Sequence, residues 1–307
     1  MRLALTIPFQ SVSLRELPAL VRHVEQAGYD SVWSEESVNF DGITPLVVAA
    51  QHSERLRLVS GVVNVFTRGP ALLAQTAAAM ADLSGGRFVL GLGTSSQVIV
   101  EHWNGTPFVE PLARMRSTVA YLQLVLAGQR ASGGFRLMRP PDKPVPIVVA
   151  ALRPAMLQLA ADEADGAFTN FLPLSGAATV VRTFGRADKE LACRFFAVPG
   201  PEEEALVLAR RLFVSYVTVP VYAHYFRWLG WAAELEPVIR AWDAGDRKLA
   251  VERVPERLIR EVFMFGPYAA QKDRLSAYAD AGISTAVLAL LVPPAELAIA
   301  IDAFAPS

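Results

Sequence analysis

The sequence predicts an α/β fold, a closed (β/α)8 TIM barrel carrying a mainly helical insertion before its last βα unit. Three observations predict it. Short apolar runs alternate with alanine-rich helical segments along the whole chain. The runs are apolar throughout rather than alternating, as suits parallel strands buried on both faces. About eight such runs fit into 307 residues, a length that suits one barrel plus an insertion.

Each element carries its own signal. Residues 3–8 form the first apolar run and Ser13 is a candidate N-cap. The following segment, 14–27, places Leu14, Leu17, Leu20, Val21 and Val24 on one helical face. Gly28 ends that helix, and residues 30–33 read as the second strand. Helix 44–53 leads to strand 57–63, and helix 70–83 leads through Ser84-Gly85-Gly86 to strand 87–92. A loop rich in Trp, Asn, Gly and Pro precedes a helix over 111–127. Strand 145–150, helix 154–163 and strand 166–170 follow, then a weaker strand over 192–198. Residues 202–263 read as almost entirely helical, punctuated by Pro220, Pro237 and Pro255. Helix 267–281 and strand 285–291 complete the series, and 295–304 closes it. A doubly wound open sheet is the competing architecture, but it normally has fewer strands, and no GxGxxG follows the first strand. No linker, charge run or low-complexity stretch interrupts the rhythm. Residues 1–307 are therefore read as one domain, with the insertion at about 201–263.

Composition excludes whole classes of function. Lys and Arg total 29 against 30 Asp and Glu, so the chain lacks the basic footprint of a nucleic-acid binder. Its one cysteine, Cys193, excludes an internal disulfide framework and a thiolate zinc cluster. No HxH, HExxH or carboxylate–histidine cluster marks a metal site. Hydrophobic residues reach 52%, yet the most apolar stretch, 283–300, is broken by Pro293-Pro294 and carries Glu296, which does not suit a membrane span. Near the N-terminus, Pro8 and a charged helix follow a short apolar run, a pattern that fits neither a signal peptide nor an anchor. The expectation is a cytoplasmic protein whose partner is a small molecule, with no nucleic acid and no membrane. The apolar helices at 205–217 and 222–231 leave a homodimer open, although packing within the chain explains them equally well.

A barrel places its active site at the C-terminal ends of its strands. That rule selects Thr6-Ile7, Glu35-Glu36, Gly61 to Asn64, Gly93 to Ser96, Ala150 to Arg153, Thr169-Asn170 and the residues from Val198 onward. Gly61, inside an otherwise β-branched strand, marks either a bulge with close backbone approach or plain crowding. Gly91 to Ser96 ends the fourth strand in small residues with accessible N–H groups. Ala150-Ala151-Leu152-Arg153-Pro154 reads as strand, short loop and proline at a first helical position, where free N–H groups and Arg153 suit a phosphate. His23 and His52 belong to the outer helices. His102 lies in the loop after the fourth strand, and His224 in an aromatic helix that is either core, a subunit contact or a lid.

The segment RFVLGLGTSSQVIVEHWNGTPFVEPLARMRSTV, together with AGYDSVWSEES, LRLVSGVVNVFTRGPALLAQTAAAMADLSGGRF, VPIVVAALRPAMLQLAADEADGAFTNFLP and GPYAAQKDRLSAYADAGISTAVL, resembles the luciferase-like flavin-dependent oxidoreductases. These matches run in order along nearly the whole chain and look closest to the branch that uses the deazaflavin coenzyme F420. The resemblance implies a barrel with a helical insertion and an oxidoreductase that moves a hydride between F420 and a small organic substrate. Its alternatives are an FMN-dependent monooxygenase of the same fold and a non-catalytic deazaflavin-binding protein. It further implies a non-proline cis peptide at Gly61-Val62 beneath the central ring, with Asn64 touching the ring or its side chain. Thr94, Ser95 and Ser96 would run along the ring edge or ribityl chain. Ala150, Ala151, Leu152 and Arg153, with Thr169 and Asn170, would cradle the phosphate.

Two departures from the family's pattern matter. Where several branches carry Asp-His after the second strand, this chain has Glu36-Ser37, and Ser96 stands where those branches place a glutamate. Alcohol oxidation with a histidine base is therefore disfavoured. Hydride transfer to an activated C=C or C=N bond asks the protein only for orientation and one proton. Glu36 is the first candidate for donating that proton or orienting the ring, and Glu35 the second. The alternative for both is a strand-end carboxylate that simply accepts from loop amides.

Overall fold

The computed structural model describes residues 1–306 apart from 11 and 37. Among them, ten strands form a single sheet: β1 (Arg2–Ile7), β2 (Ser31–Ser34), β3 (Arg57–Ser60), β4 (Val63–Asn64), β5 (Phe88–Gly93), β6 (Ile147–Ala150), β7 (Gly166–Asn170), β8 (Glu190–Val198), β9 (Phe263–Phe265) and β10 (Thr285–Leu290). Every pairing is parallel. The order β10-β1-β2-β3-β5-β6-β7-β8 closes because β10 also pairs with β8, so Leu288 lies opposite both Leu5 and Phe195. This is the closed parallel barrel expected from the strand count. β4 resumes β3 after a break and pairs with β5, while β9 adds to the C-terminal half of β8.

The lumen is filled by Ala4, Trp33, Val59, Val89, Val148, Phe168, Ala192 and Val287. Each barrel strand contributes one, and the Trp33 and Phe168 rings meet at 4.6 Å. Side chains two residues on point to the same face of a strand. Thr6, Gly61, Gly91, Ala150, Asn170, Arg194 and Ala289 therefore form the next layer, at the C-terminal mouth. A larger cluster between sheet and helices forms the outer core.

Several elements fall on their expected bounds, among them the helices Pro70–Leu83 and Pro154–Glu163 and strand β7. The first helix starts later than expected, at Leu17. Ser13 instead caps the preceding turn: its Oγ accepts the Arg15 N–H at 3.2 Å, while the Glu16 carboxylate accepts the Ser13 N–H at 3.0 Å. β8, expected to be weak, is the longest strand at nine residues, because β7, β10 and β9 all pair with it. The insertion comprises helices Glu202–Val217, Pro220–Trp228, Ala232–Asp243, Arg247–Glu252 and Glu256–Val262. Pro237 lies inside the third of these rather than ending it. Its ring sits on the exposed face, and the carbonyl of Ala233 that loses a partner is also on an exposed residue, open to solvent. Phe263, read as the end of the helical stretch, instead opens β9, an apolar aromatic run that extends the sheet beside Phe196. The loop after β5 contains a π-helical turn, Val98–Trp103. No single described helix is long and apolar enough to cross a membrane.

A buried charge cluster ties the N-terminal end of the barrel together. Glu190, its side chain 8% exposed, accepts from Arg2 at 2.7 Å, Arg57 at 3.0 Å and the Thr285 hydroxyl at 2.6 Å. Burial alone would raise the Glu190 pKa, but the Arg57 hydrogen bond and charge, with help from Thr285 and Arg2, hold it below the ordinary value. A depressed carboxylate contributes stability that is fully present above its unfolded pKa and is lost as pH falls through the folded value. Glu190→Gln is expected to destabilise the fold by about 1–3 kcal/mol at neutral pH, since it removes the buried charge that Arg57 and Arg2 share and leaves Arg57 only Asp30 as counter-charge. Urea titrations should also show a shallower loss of stability with acidification in the variant than in the parent.

Candidate active site

The site is built around the break between β3 and β4. The Gly61-Val62 peptide is cis, at the position the resemblance implies. The Gly61 N–H donates to the Ser34 carbonyl at 2.6 Å, and Ser60 Oγ both accepts from the Gly91 N–H at 2.8 Å and donates to its carbonyl at 3.0 Å. Three glycines allow this close approach. A Cβ on Gly61 would come within 2.9 Å of Trp33 Cε3, one on Gly91 within 1.8 Å of the Ser60 carbonyl oxygen, and one on Gly93 within 2.4 Å of Val62 Cγ2. Gly61 therefore marks both crowding and a break. Gly91 and Gly93 serve the packing of Ser60 and Val62, and Val62 becomes a ledge on top of the filled lumen.

The other mouth residues follow strand by strand. Asn64 ends β4, buried, with Oδ1 accepting the Phe66 N–H at 2.8 Å and Nδ2 left without a partner. The Thr6 hydroxyl is likewise buried and unpartnered. Beyond β5, Thr94, Ser95 and Ser96 are half-buried. Ser95 takes a left-handed φ of 59°, a conformation found at ligand-binding turns more than in ordinary loops. Ala150 and Leu152 are half-buried and Ala151 buried, with the Ala151 N–H bonded to the Phe168 carbonyl. The helix Pro154–Glu163 has exposed Arg153 at its N-cap and no side-chain cap; Pro154 has no N–H and those of Met156 and Leu157 donate to the Arg153 carbonyl at 3.1 and 3.0 Å, which leaves the Ala155 N–H for an anion. Asn170 faces the mouth. Thr169, fully buried on the opposite face of β7, is the predicted cradle residue that the structure does not bring to the others.

The two carboxylates diverge. Glu35 pairs with Arg194, which reaches across the mouth from β8 and is 7% exposed. Arg194 also lies 3.4 Å from Asn170 Oδ1 and 5.1 Å from the centre of the Phe196 ring. Burial would weaken its charge, but Glu35 keeps it firmly protonated. Glu36 accepts from Arg68 at 2.6 and 3.0 Å and from the N–H groups of Gly42 and Asn64, each at 3.3 Å. It thereby ties the second-strand loop to the ledge. Ser37, its neighbour in the family comparison, lies outside the described residues.

The insertion roofs this layer with aromatic rings. Phe171, at a left-handed φ of 50°, lies 4.5 Å from Phe196, 4.6 Å from Tyr216 and 5.8 Å from Tyr222. Asn170 Nδ2 donates to the Tyr222 hydroxyl at 3.0 Å. Arg68, Arg194, Tyr216 and Tyr222 were not among the residues singled out from the sequence. Arg194 did carry a signal: it is the one charge within the apolar run 192–198, two residues after Ala192 of the lumen. The histidines stay peripheral or exposed. His23 pairs with Asp302 at 2.6 Å, Arg22 donates to His52 at 3.2 Å, and His102 and His224 are exposed.

This architecture coincides with a family match. The luciferase-like monooxygenase family matches residues 1–285, and the chain belongs to that family of oxidoreductases. It is 25% identical over 312 aligned positions, 88% of this chain and 89% of the relative, to a Mycobacterium tuberculosis protein provisionally named a coenzyme F420-dependent oxidoreductase. It is 32% identical over 155 positions, 48% of this chain and 47% of the relative, to the 5,10-methylenetetrahydromethanopterin reductase of Methanolobus tindarius. The fold superimposes on the coenzyme F420-dependent tetrahydromethanopterin reductase of Methanopyrus kandleri with a TM-score of 0.78 at 20% identity, covering 99% of this chain and 97% of that one.

The two β5 glycines differ in what they face, so their alanine variants should differ in cost. Gly91→Ala drives a methyl into backbone and is expected to destabilise by about 3 kcal/mol or more, whereas Gly93→Ala displaces only a Val62 methyl and should cost about 1–2 kcal/mol. Chemical denaturation of the two variants checks the order, and equal stability would show that the Ser60 contact is not a tight one.

Proposed function

We propose that this protein transfers a hydride between coenzyme F420 and a small organic substrate, acting on an activated C=C or C=N bond in preference to an alcohol. The observation that carries the reading is the Val62 ledge, set over a filled lumen and flanked by the unpartnered Asn64 amide. These residues fit a flat heteroaromatic ring: apolar support below, and a buried donor at its edge with nothing else to satisfy it. The provisional name of the Mycobacterium tuberculosis relative points to F420 rather than FMN.

In this reading the deazaflavin supplies or accepts the hydride, and the protein supplies its placement. Val62 supports the ring and Gly61 keeps the ledge close to Trp33. Asn64 donates to the ring edge. Thr94, Ser95 and Ser96 follow the ribityl chain. Ala150, Ala151, Leu152 and Arg153, with the open helix N-terminus behind them, hold the phosphate, and Asn170 closes that side. Glu36 orients the ledge through the Asn64 N–H. Alcohol oxidation needs a free base beside the hydroxyl, and both mouth carboxylates are already engaged by arginines.

The test is equilibrium binding of oxidised F420 and FMN, followed by ultrafiltration and absorbance. F420 should bind at micromolar concentration and more tightly than FMN. Arg153→Glu should weaken F420 at least about tenfold, because it reverses the charge beside the phosphate and the helix N-terminus. Tighter binding of FMN would favour the monooxygenase, and millimolar affinity for both would overturn the reading. F420 binding without turnover of imines, enones and aldehydes would favour a non-catalytic binding protein.

A further inference from the structure

We propose that Arg194 binds and activates the substrate, and that it selects a C=C bond conjugated to a carbonyl over a C=N bond. The inference rests on the hydride-transfer reading above and names its substrate class. The guanidinium takes the carbonyl oxygen, where negative charge gathers as the hydride arrives at the far end of the conjugated system.

Backbone bonds put the head of Arg194 beside the ledge. The Gly61 N–H donates to the Ser34 carbonyl at 2.6 Å, and the Glu36 N–H donates to the Val62 carbonyl at 3.4 Å. Glu35 lies between those two bonded residues. It follows Trp33 of the lumen by two positions, so its side chain turns inward at the edge of Val62. Arg194 is ion-paired to it from β8. The barrel order β8-β10-β1-β2 makes that pair span two intervening strands, whose mouth residues, Ala289 and Thr6, carry no charge. Arg194 is thus the one cation of the inward-facing layer. Arg68 is held outside it by Glu36, and Arg153 stands exposed at its helix N-cap.

The guanidinium is fixed without being saturated. Nη1 donates to Glu35, Nε lies 3.4 Å from Asn170 Oδ1, and the Phe196 ring centre lies 5.1 Å from the guanidinium carbon. Nη2 makes no hydrogen bond to a described residue, and it is not one of the described atoms enclosed without a partner. Its hydrogens therefore face the mouth. Arg194 is only 7% exposed, so little water screens the charge that an incoming oxygen would meet.

Arginine stabilises negative charge but cannot give up a proton. A neutral C=N bond needs a proton at nitrogen as the hydride arrives, and a cationic iminium meets like charge at Nη2. A conjugated carbonyl needs neither, only a donor at its oxygen. The step balances. The hydride, carrying two electrons, reaches the β-carbon from the reduced deazaflavin, which is oxidised. The C=C π pair shifts towards the carbonyl carbon and the C=O π pair to oxygen, which leaves an enolate against Arg194. Water at the mouth then gives a proton to the α-carbon, leaving hydroxide, and the carbonyl re-forms.

Binding and turnover test this separately. In cofactor-free protein, equilibrium dialysis of 4-nitrophenolate, a planar oxyanion, should give a Kd about tenfold or more higher in Arg194→Met than in the parent, with Arg194→Lys between them. Equal affinity in the parent and both variants, folded by circular dichroism, would overturn the oxyanion site. With F420 bound, kcat on 2-cyclohexen-1-one should fall about 100-fold or more in Arg194→Met and recover in part in Arg194→Lys. Parent-like turnover by both variants would overturn the activating role. The parent should reduce 2-cyclohexen-1-one faster than 1-pyrroline, and the reverse order would overturn the substrate class. Failure of the parent protein to bind F420 would instead overturn the functional reading on which the step rests.

Discussion

The contact between Ser60 and Gly91 governs the active end of this barrel. At any residue but glycine, β5 would meet the Ser60 carbonyl well inside van der Waals distance. Because Gly91 has no side chain, the Ser60 hydroxyl can bridge both backbone groups of Gly91, and β3 can turn inward before resuming as β4. Val62 is thereby placed over a lumen already filled by one side chain from each barrel strand. The centre of the floor, where Val62 covers the lumen, is apolar as a consequence, and polar groups surround it. Geometry of this kind favours a planar guest and gives little purchase to a hydrated ion.

Electrostatics divide the rim into two halves. On the side of β4 to β7 lie uncharged donors, an open helix N-terminus and Arg153, which together suit an extended anionic cofactor. On the other side the Glu35–Arg194 pair crosses the mouth from β2 to β8. Its desolvation is offset by the pairing itself, and Asn170 and the Phe196 ring complete the surroundings of the guanidinium. Glu36 and Arg68 repeat the pairing outside the rim and hold the ledge in register. The carboxylates act as structural anchors of the arginines.

Much of this was legible in the sequence, for identifiable reasons. Parallel strands buried on both faces write themselves as unbroken apolar runs, and prolines at first helical turns, such as Pro70 and Pro154, give sharp boundaries. Gly61 marked the break because a lone glycine in a β-branched strand is costly unless something comes close. What was not legible depends on contacts remote in sequence. Arg194 meets Glu35 across 159 positions of the chain, and Tyr222 meets Asn170 across 52. β9 was missed because Phe263 to Phe265 form a strand only where the edge of β8 is available. Thr169 was placed with Asn170 by the strand-end rule and the family resemblance, whereas strand alternation sends it to the opposite face.

The central claim is that the mouth, and specifically the Val62 ledge and the β5 and β6 loops around it, receives the deazaflavin. Hydrogen–deuterium exchange with and without oxidised F420 tests it directly. The account predicts slowed exchange confined to residues 61–66, 94–100 and 150–157, with no change at the N-terminal cluster around Glu190. Protection at the N-terminal end of the barrel, or no protection at the ledge under conditions where F420 is bound, would contradict it.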